Sequence, residues 1–260
     1  MHNNTLLLLS GNDVPFEEAQ LIVHPPTIKE IAYIGEDSFW HGVEFLNFSK
    51  DLLSDEDKIN LSAKTNFEVL LSVIQEQNAT INIYKVQMEL ILTLLFPNYH
   101  VLFTPTSIAF RQEGEKNLLL IDTDDKFTAF KELISLIFCF DYFMSNKTIS
   151  RKYNPANAAA EILVKKFKDR QKKIAQLNKD KNNNGTNILS TYISILAVGA
   201  GHDLNTLMNY TVFQLVDEFK RYQLKMEFDL NLQARMAGAK DLKEAEHWMK
   251  NIHFKQDEEE

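Results

Sequence analysis

The apolar positions of this chain recur mainly at helical spacing, and the longest such run lies near the C-terminal end. From Thr211 to Tyr222 they fall at Val212, Leu215, Val216, Phe219 and Tyr222, one face of an amphipathic helix. From Leu224 onward the rhythm changes to alternation: Leu224, Met226, Phe228, Leu230, Leu232, Ala234 and Met236. Period two ordinarily marks a strand. Here residue type overrides it, because Leu, Met, Lys, Glu, Gln, Ala and Arg are strong helix formers and no β-branched residue follows Val216 in the stretch. Thr211 suits the N-cap, Asp217 and Glu218 the early turns, and Gly238 the C-terminal end. On a helix, alternation puts apolar groups on more than one side. Such a helix needs either a core or another chain around much of its circumference. Leu224–Met236 is the part hardest to bury within the chain, and so the first place to look for a partner surface.

The rest of the pattern predicts short elements in sequence. Leu6–Leu9 reads as a strand or an ordered arm, and Ala19–Val23 as a second strand stopped by Pro25-Pro26. Thr27-Ile28-Lys29-Glu30 has capping-box spacing before a short helix that Gly35 closes. Helices follow over Glu36–Ser49, from the acidic start at Ser54–Asp57, over Thr65–Gln77 and over Ala79–Phe96, where Pro97 stops the last. Tyr99–Phe103, Ser107–Gln112 and Asn117–Asp122 read as three strands of a meander. Asp124–Phe143 returns to helix. Asn154-Pro155 begins another, basic toward its end, and Asn187–Ala200, Asp203–Met208 and Lys240–His253 complete the helical set. The expected fold is mainly α with a small antiparallel β meander (α+β). A mixed region 1–145 precedes an all-helical region 146–253, and a disordered acidic tail occupies 254–260.

Composition narrows the function classes. Apolar residues make up 45% of the 260, with 18 Phe, enough for a sizeable core. A net charge of −8 argues against indiscriminate nucleic-acid binding by the whole surface. The single cysteine, Cys139, sits in the apolar run LISLIFCF and reads as a buried thiol that cannot form an intrachain disulfide. No run is long enough to span a membrane and no signal peptide is evident.

Chemistry-bearing motifs are sparse. The eight glycines form no phosphate cradle, and there is no nucleophile elbow. The seven histidines show no zinc-ligand spacing, so neither a metal nor a cofactor is expected. Asp124-Asp125 and Asp55/Asp57 sit at expected helix starts, where anions are favoured without any catalytic role. The clearest charged feature is the basic segment 164–181, with Lys165, Lys166, Lys172 and Lys173 as candidate anion contacts. A solvated helix face accounts for it more simply than a phosphate contact. Base stacking is not indicated, since only Phe167 interleaves the charges.

Three stretches carry a resemblance: HPPTIKEIAYIGEDSF (His24–Phe39), YNPANAAAEILVKKFKDR (Tyr153–Arg170) and the run from Leu207 to Ile252. In order and general pattern they resemble tail assembly chaperone-like proteins of phages infecting Gram-positive bacteria. Together they cover under half the chain and hold no catalytic signature. The resemblance implies a non-enzymatic morphogenesis factor in the host cytoplasm that binds tape-measure and tail-tube proteins, with self-association as a further contact. The expected partner contacts are Phe213, Phe219, Tyr222, Phe228 and Trp248. The alternatives are a nucleic-acid-associated accessory protein using the basic helix and a structural component of the phage particle.

Overall fold

The computed structural model describes residues 4–47, 64–75, 83–145, 187–238, 246–250 and 252. The fold is mainly helical with small antiparallel sheets, and its C-terminal part is helical. The chain divides into two units, 1–144 with 202–215, and 145–201 with 216–260.

The first unit begins with a helix, α1 (Asn4–Ser10), where a strand or arm was expected. Leucine is a good helix former, and only Leu8 of the run is fully buried, so no period-two burial draws the segment into a sheet. Gly11, at φ +71°, ends α1 in the left-handed conformation, and the Gly11 and Asn12 N–H groups donate to Leu8 and Leu7. An antiparallel hairpin follows, β1 (Val14–Phe16) with β2 (Leu21–Val23). Val14, Phe16, Leu21 and Val23 point inward from it.

Thr27 then caps α2 (Ile28–Ile34) with the reciprocal box its spacing predicts: Glu30 N–H donates to Thr27 Oγ1 at 3.2 Å, and Thr27 N–H to Glu30 Oε2 at 2.7 Å. Burial alone would raise the Glu30 carboxyl's pKa. The Thr27 N–H and hydroxyl, with His24 beside them, outweigh that and hold it below the usual carboxylate range.

Helix α3 (Glu36–Leu46) crosses α5 (Ile83–Leu95) at Gly42, where the backbones approach closely. Between them in sequence, α4 (Asn66–Ile74) starts with a second capping box, Thr65 with Glu68. The meander forms as expected, with β3 (Tyr99–Phe103), β4 (Ile108–Gln112) and β5 (Leu119–Ile121) antiparallel in that order. Tyr99 faces Gln112, and Ile108 faces both Phe103 and Ile121.

The continuous helix expected over Asp124–Phe143 is two helices, α6 (Asp124–Ile137) and α7 (Phe140–Ser145). Cys139 adopts φ +50° between them, so regular helix cannot run through. Its thiol is half-buried rather than fully buried.

Aromatic rings fill the core of this unit. Phe96 lies 4.5 Å from Phe110 and 5.9 Å from Phe130 between centroids, and Phe67 stacks on Phe127 at 4.8 Å.

In the second unit, α8 (Ile188–Gly199) buries only Leu189 and Leu196 fully. The short α9 (Leu204–Met208), which belongs to the first unit, is capped by Asp203. The last long element, α10 (Val212–Met236), begins in the first unit and continues into the second. A closing helix was expected over Lys240–His253. Its described residues 246–250 are instead irregular and turn-like, with Lys250 N–H donating to the His247 carbonyl. The expected helices at 54–57 and 155–173, the basic segment with Lys165, Lys166, Lys172 and Lys173, and the acidic tail lie outside the described residues.

Candidate functional site

Helix α10 is anchored firmly at one end and exposed at the other. Thr211 and Gln214 form a third capping box: Thr211 N–H donates to Gln214 Oε1 at 2.8 Å, and Gln214 N–H to Thr211 Oγ1 at 3.3 Å. Gln214 Nε2 also donates to the Leu9 carbonyl at 2.8 Å, and Ile28 N–H to the Tyr210 carbonyl at 2.8 Å. The first turns are core. Val212, Leu215 and Val216 are buried, and Phe213 and Phe219 are only 7% and 6% exposed. Tyr192 of α8 stacks on Phe219 with centroids 3.9 Å apart. The Tyr222 hydroxyl lies so near Gly199 that a Cβ there would sit 2.1 Å from it.

From Leu224 the helix continues unbroken to Met236, so the alternating segment is helical, as its residue types predict. At 3.6 residues per turn the alternation splits into two rows of i, i+4 neighbours about 160° apart. Met226, Leu230 and Ala234 form one row. Leu224, Phe228, Leu232 and Met236 form the other. Met226 is 40% exposed, Leu230 58%, Leu232 48% and Met236 80%. Phe228 is half-buried and meets His247 at 5.0 Å. Arg221 ties the same irregular segment down, its Nη1 donating to the Trp248 and Lys250 carbonyls. Gly238, at φ +87°, closes the helix.

Residue by residue, the expected contacts fall into two groups. Phe213 and Phe219 are packed within the protein, whereas Tyr222 and Phe228 are half-buried and Trp248 is 36% exposed. On α10 itself the large apolar side chains most open to another molecule are Met226, Leu230, Leu232 and Met236. Their sequence signal was the alternation itself, because aromaticity is a poor guide to exposure on a helix whose first half is core.

A polar cluster lies in the first unit. His24 Nδ1 is 2.8 Å from Asp13 Oδ1, and Nε2 is 3.5 Å from Glu30 Oε1. Both ring nitrogens therefore face carboxylates, and neither faces open space. The adjoining hollow, lined by Asp13, Ile22, His24, Pro97, Asn98, Tyr99 and Gln112, has a volume of about 110 Å³. That is well below the roughly 300 Å³ at which small-molecule sites begin. Among the described residues no three His, Cys, Asp or Glu side chains are grouped to hold a metal ion. No helix among them is long and apolar enough to cross a membrane.

Residues 178–253 match a family model described as the YomV second domain. YomV is a Bacillus prophage-region protein. The match to YomV spans under a third of the chain, but it takes in all of α8, α9 and α10 and the segment that Arg221 holds. No curated protein and no solved structure matches this chain.

Proposed function

We propose that this chain is a phage-associated, non-enzymatic assembly factor of the tail assembly chaperone kind, acting in the host cytoplasm. It binds tape-measure and tail-tube proteins through the distal half of α10. The observation that carries the reading is the exposure of four long apolar side chains along a helix whose base is locked by a capping box and a buried core. Exposed apolar rows of this kind are what helix-in-groove or helix-on-helix recognition uses. Similarity to the YomV second domain over this region supports the phage association. Tyr222 and Phe228 are half-buried, against Gly199 and His247, and Phe213 and Phe219 are buried at the helix base.

The test is made in the phage or prophage that encodes the chain. Leu232→Glu with Met236→Glu is introduced, and completed tails are counted by electron microscopy. Loss of tails with normal levels of the protein supports the proposal. A normal tail yield, either from the variant or after deletion of the gene, overturns it.

A further inference from the structure

The two outer edges of the β3–β4–β5 sheet are not alike. Thr104 N–H donates to the Ser107 carbonyl at 2.9 Å, which makes those two a hydrogen-bonded pair. Bonded and non-bonded pairs alternate along an antiparallel ladder. The pairs Leu102 with Ala109 and His100 with Arg111 are therefore bonded too, and the N–H and C=O groups of Tyr99, Val101 and Phe103 turn to the outer edge. On its other side β4 bonds β5 through Ile108 with Ile121 and Phe110 with Leu119, so Leu120 turns outward there.

The β5 edge is closed, because Lys126 Nζ donates to the Leu120 carbonyl at 3.4 Å. In the separate hairpin, β1 carries Pro15 at its centre. Lysine and proline are the usual devices that blunt a sheet edge. β3 reads Tyr-His-Val-Leu-Phe and has neither. Tyr99 N–H is taken by the Phe96 carbonyl at 3.0 Å, but among the described residues no hydrogen bond meets the backbone of Val101 or Phe103.

We propose that β3 pairs edge to edge with β3 of a second copy of this chain, antiparallel about a two-fold axis at Val101, joining two three-stranded sheets into one. The inference does not involve distal α10 and is independent of any phage partner.

The strand's own sequence sets the register. About Val101, outward residues face outward residues: Val101 meets its equivalent, and Tyr99 meets Phe103 of the second copy. Val101 N–H donates to the Val101 carbonyl across the axis, and Phe103 N–H to the Tyr99 carbonyl. Shifting the second strand by two residues either way puts Pro97 opposite Phe103 or Pro105 opposite Tyr99, and proline has no N–H to give. The same two prolines bound both strands, so a second copy fits the open edge in length as well. Side chains agree. Tyr99 with Phe103 is an aromatic cross-strand pair on the half-buried face, and His100 with Leu102 lies on the exposed face. The strand holds no Asp, Glu, Lys or Arg, so no like charges are set opposite one another.

β3 has five residues, about 17 Å at roughly 3.4 Å each. That is a small contact beside the roughly 800 Å² per partner of a standard stable interface, so association is weak and depends on concentration.

The experiment uses the full chain, purified alone. Amide hydrogen exchange and sedimentation equilibrium are followed from about 10 μM to about 1 mM. The Val101 and Phe103 amides should exchange about tenfold more slowly at the upper end. Val101→Pro removes the outward donor and leaves the β3–β4 bonds of His100 and Leu102 in place. With a wild-type circular dichroism spectrum, it should stay monomeric throughout. Cysteine cross-linking under mild oxidation reads the register at exposed positions, with wild type as the control for Cys139. His100→Cys mixed with Leu102→Cys should link, since facing Cα atoms in a non-bonded pair lie about 4.5 Å apart. Either variant alone should not. Its two sites are offset by two residues, about 7 Å along the strands in addition to the spacing between them, beyond the roughly 7 Å reach of a disulfide.

Three results overturn the proposal: a monomer at every concentration with no link in the mixture, undiminished association of a folded Val101→Pro variant, or protection of the Val101 and Phe103 amides only after a tape-measure protein is added, which would give the edge to that chain. None of these touches binding through distal α10, so the two readings fail separately.

Discussion

Replacing Gly42 with alanine would place a methyl carbon 2.1 Å from Ile91 Cγ1, 3.1 Å from its Cδ1 and 3.2 Å from the Gln87 carbonyl oxygen. Carbon atoms pack at about 3.5–4.0 Å, so the closest approach is too short by roughly 1.5 Å. Ile91 is β-branched and fully buried, and Cγ1 lies near the root of its side chain. Relief requires α3 and α5 to separate or Ile91 to leave its rotamer. Overpacking of this kind costs about 1–3 kcal/mol, while alanine gains about 1 kcal/mol over glycine in a helix. The net expectation is a loss of up to about 2 kcal/mol, with Tm falling about 2–4 °C per kcal/mol.

Gly199 makes an instructive contrast. A Cβ there would also sit 2.1 Å from its nearest atom, but that atom is the Tyr222 hydroxyl, the tip of a half-buried side chain that can swing outward. Gly199→Ala should stay within about 0.5 kcal/mol of wild type. The assay is urea unfolding followed by circular dichroism, with Ile91→Ala completing a double-mutant cycle. Removing Cγ1 should reduce the cost of Gly42→Ala by about 1–2 kcal/mol. Gly42→Ala at or above wild-type stability, or strict additivity with Ile91→Ala, would refute the close-packing argument.

Other expectations concern the caps. Thr27→Ala should cost about 1 kcal/mol by removing the acceptor for the Glu30 N–H and the donor to its carboxylate. The same measurement on Thr211→Ala, whose residue is 2% exposed, should give at least that loss. The Glu30 carboxyl is held below its ordinary pKa, so its contribution is present above the unfolded carboxylate range and is lost as pH falls through its folded value. Wild type should therefore keep its advantage over Glu30→Gln at neutral pH and lose it as pH falls through and below the ordinary carboxylate range. A stability difference that does not change across that window would count against the capping geometry.

Much of the architecture was readable because local chemistry and tertiary packing agree. Thr27/Glu30 marks a helix start by spacing and Thr211 marks another as an N-cap, and Pro97 stops α5 just before strands whose partners are near in sequence. Three features were not readable, each for a physical reason. The LLLL run admits helix or strand, and Gly11 settles it by ending the helix in a left-handed residue. The break at Cys139 has no glycine or proline to announce it. The turn at 246–250 is tied to α10 through Arg221, a contact 27 residues away from Trp248 that periodicity cannot reveal.

In the site, residue type made the helix over Leu224–Met236 legible against its strand-like alternation, and the alternation made legible the difficulty of burying it. The inward face of the first half, Val212, Leu215, Val216 and Phe219, follows from its spacing, but Phe213 lies off that face and is buried all the same; Phe213 and Phe219, expected as contacts, are packed as core.

The central claim is that the exposed apolar row on distal α10 is a protein-binding surface. Its most direct test is calorimetric titration of the purified chain with the tape-measure protein encoded in the same phage or prophage, for wild type and for Leu232→Glu with Met236→Glu. Both substituted positions are exposed, so the variant should melt within about 1 °C of wild type. It should bind at least tenfold more weakly, since two buried apolar contacts at about 1.5 kcal/mol or more each would be lost. Equal affinity of a folded variant, or no binding by wild type, would contradict the account.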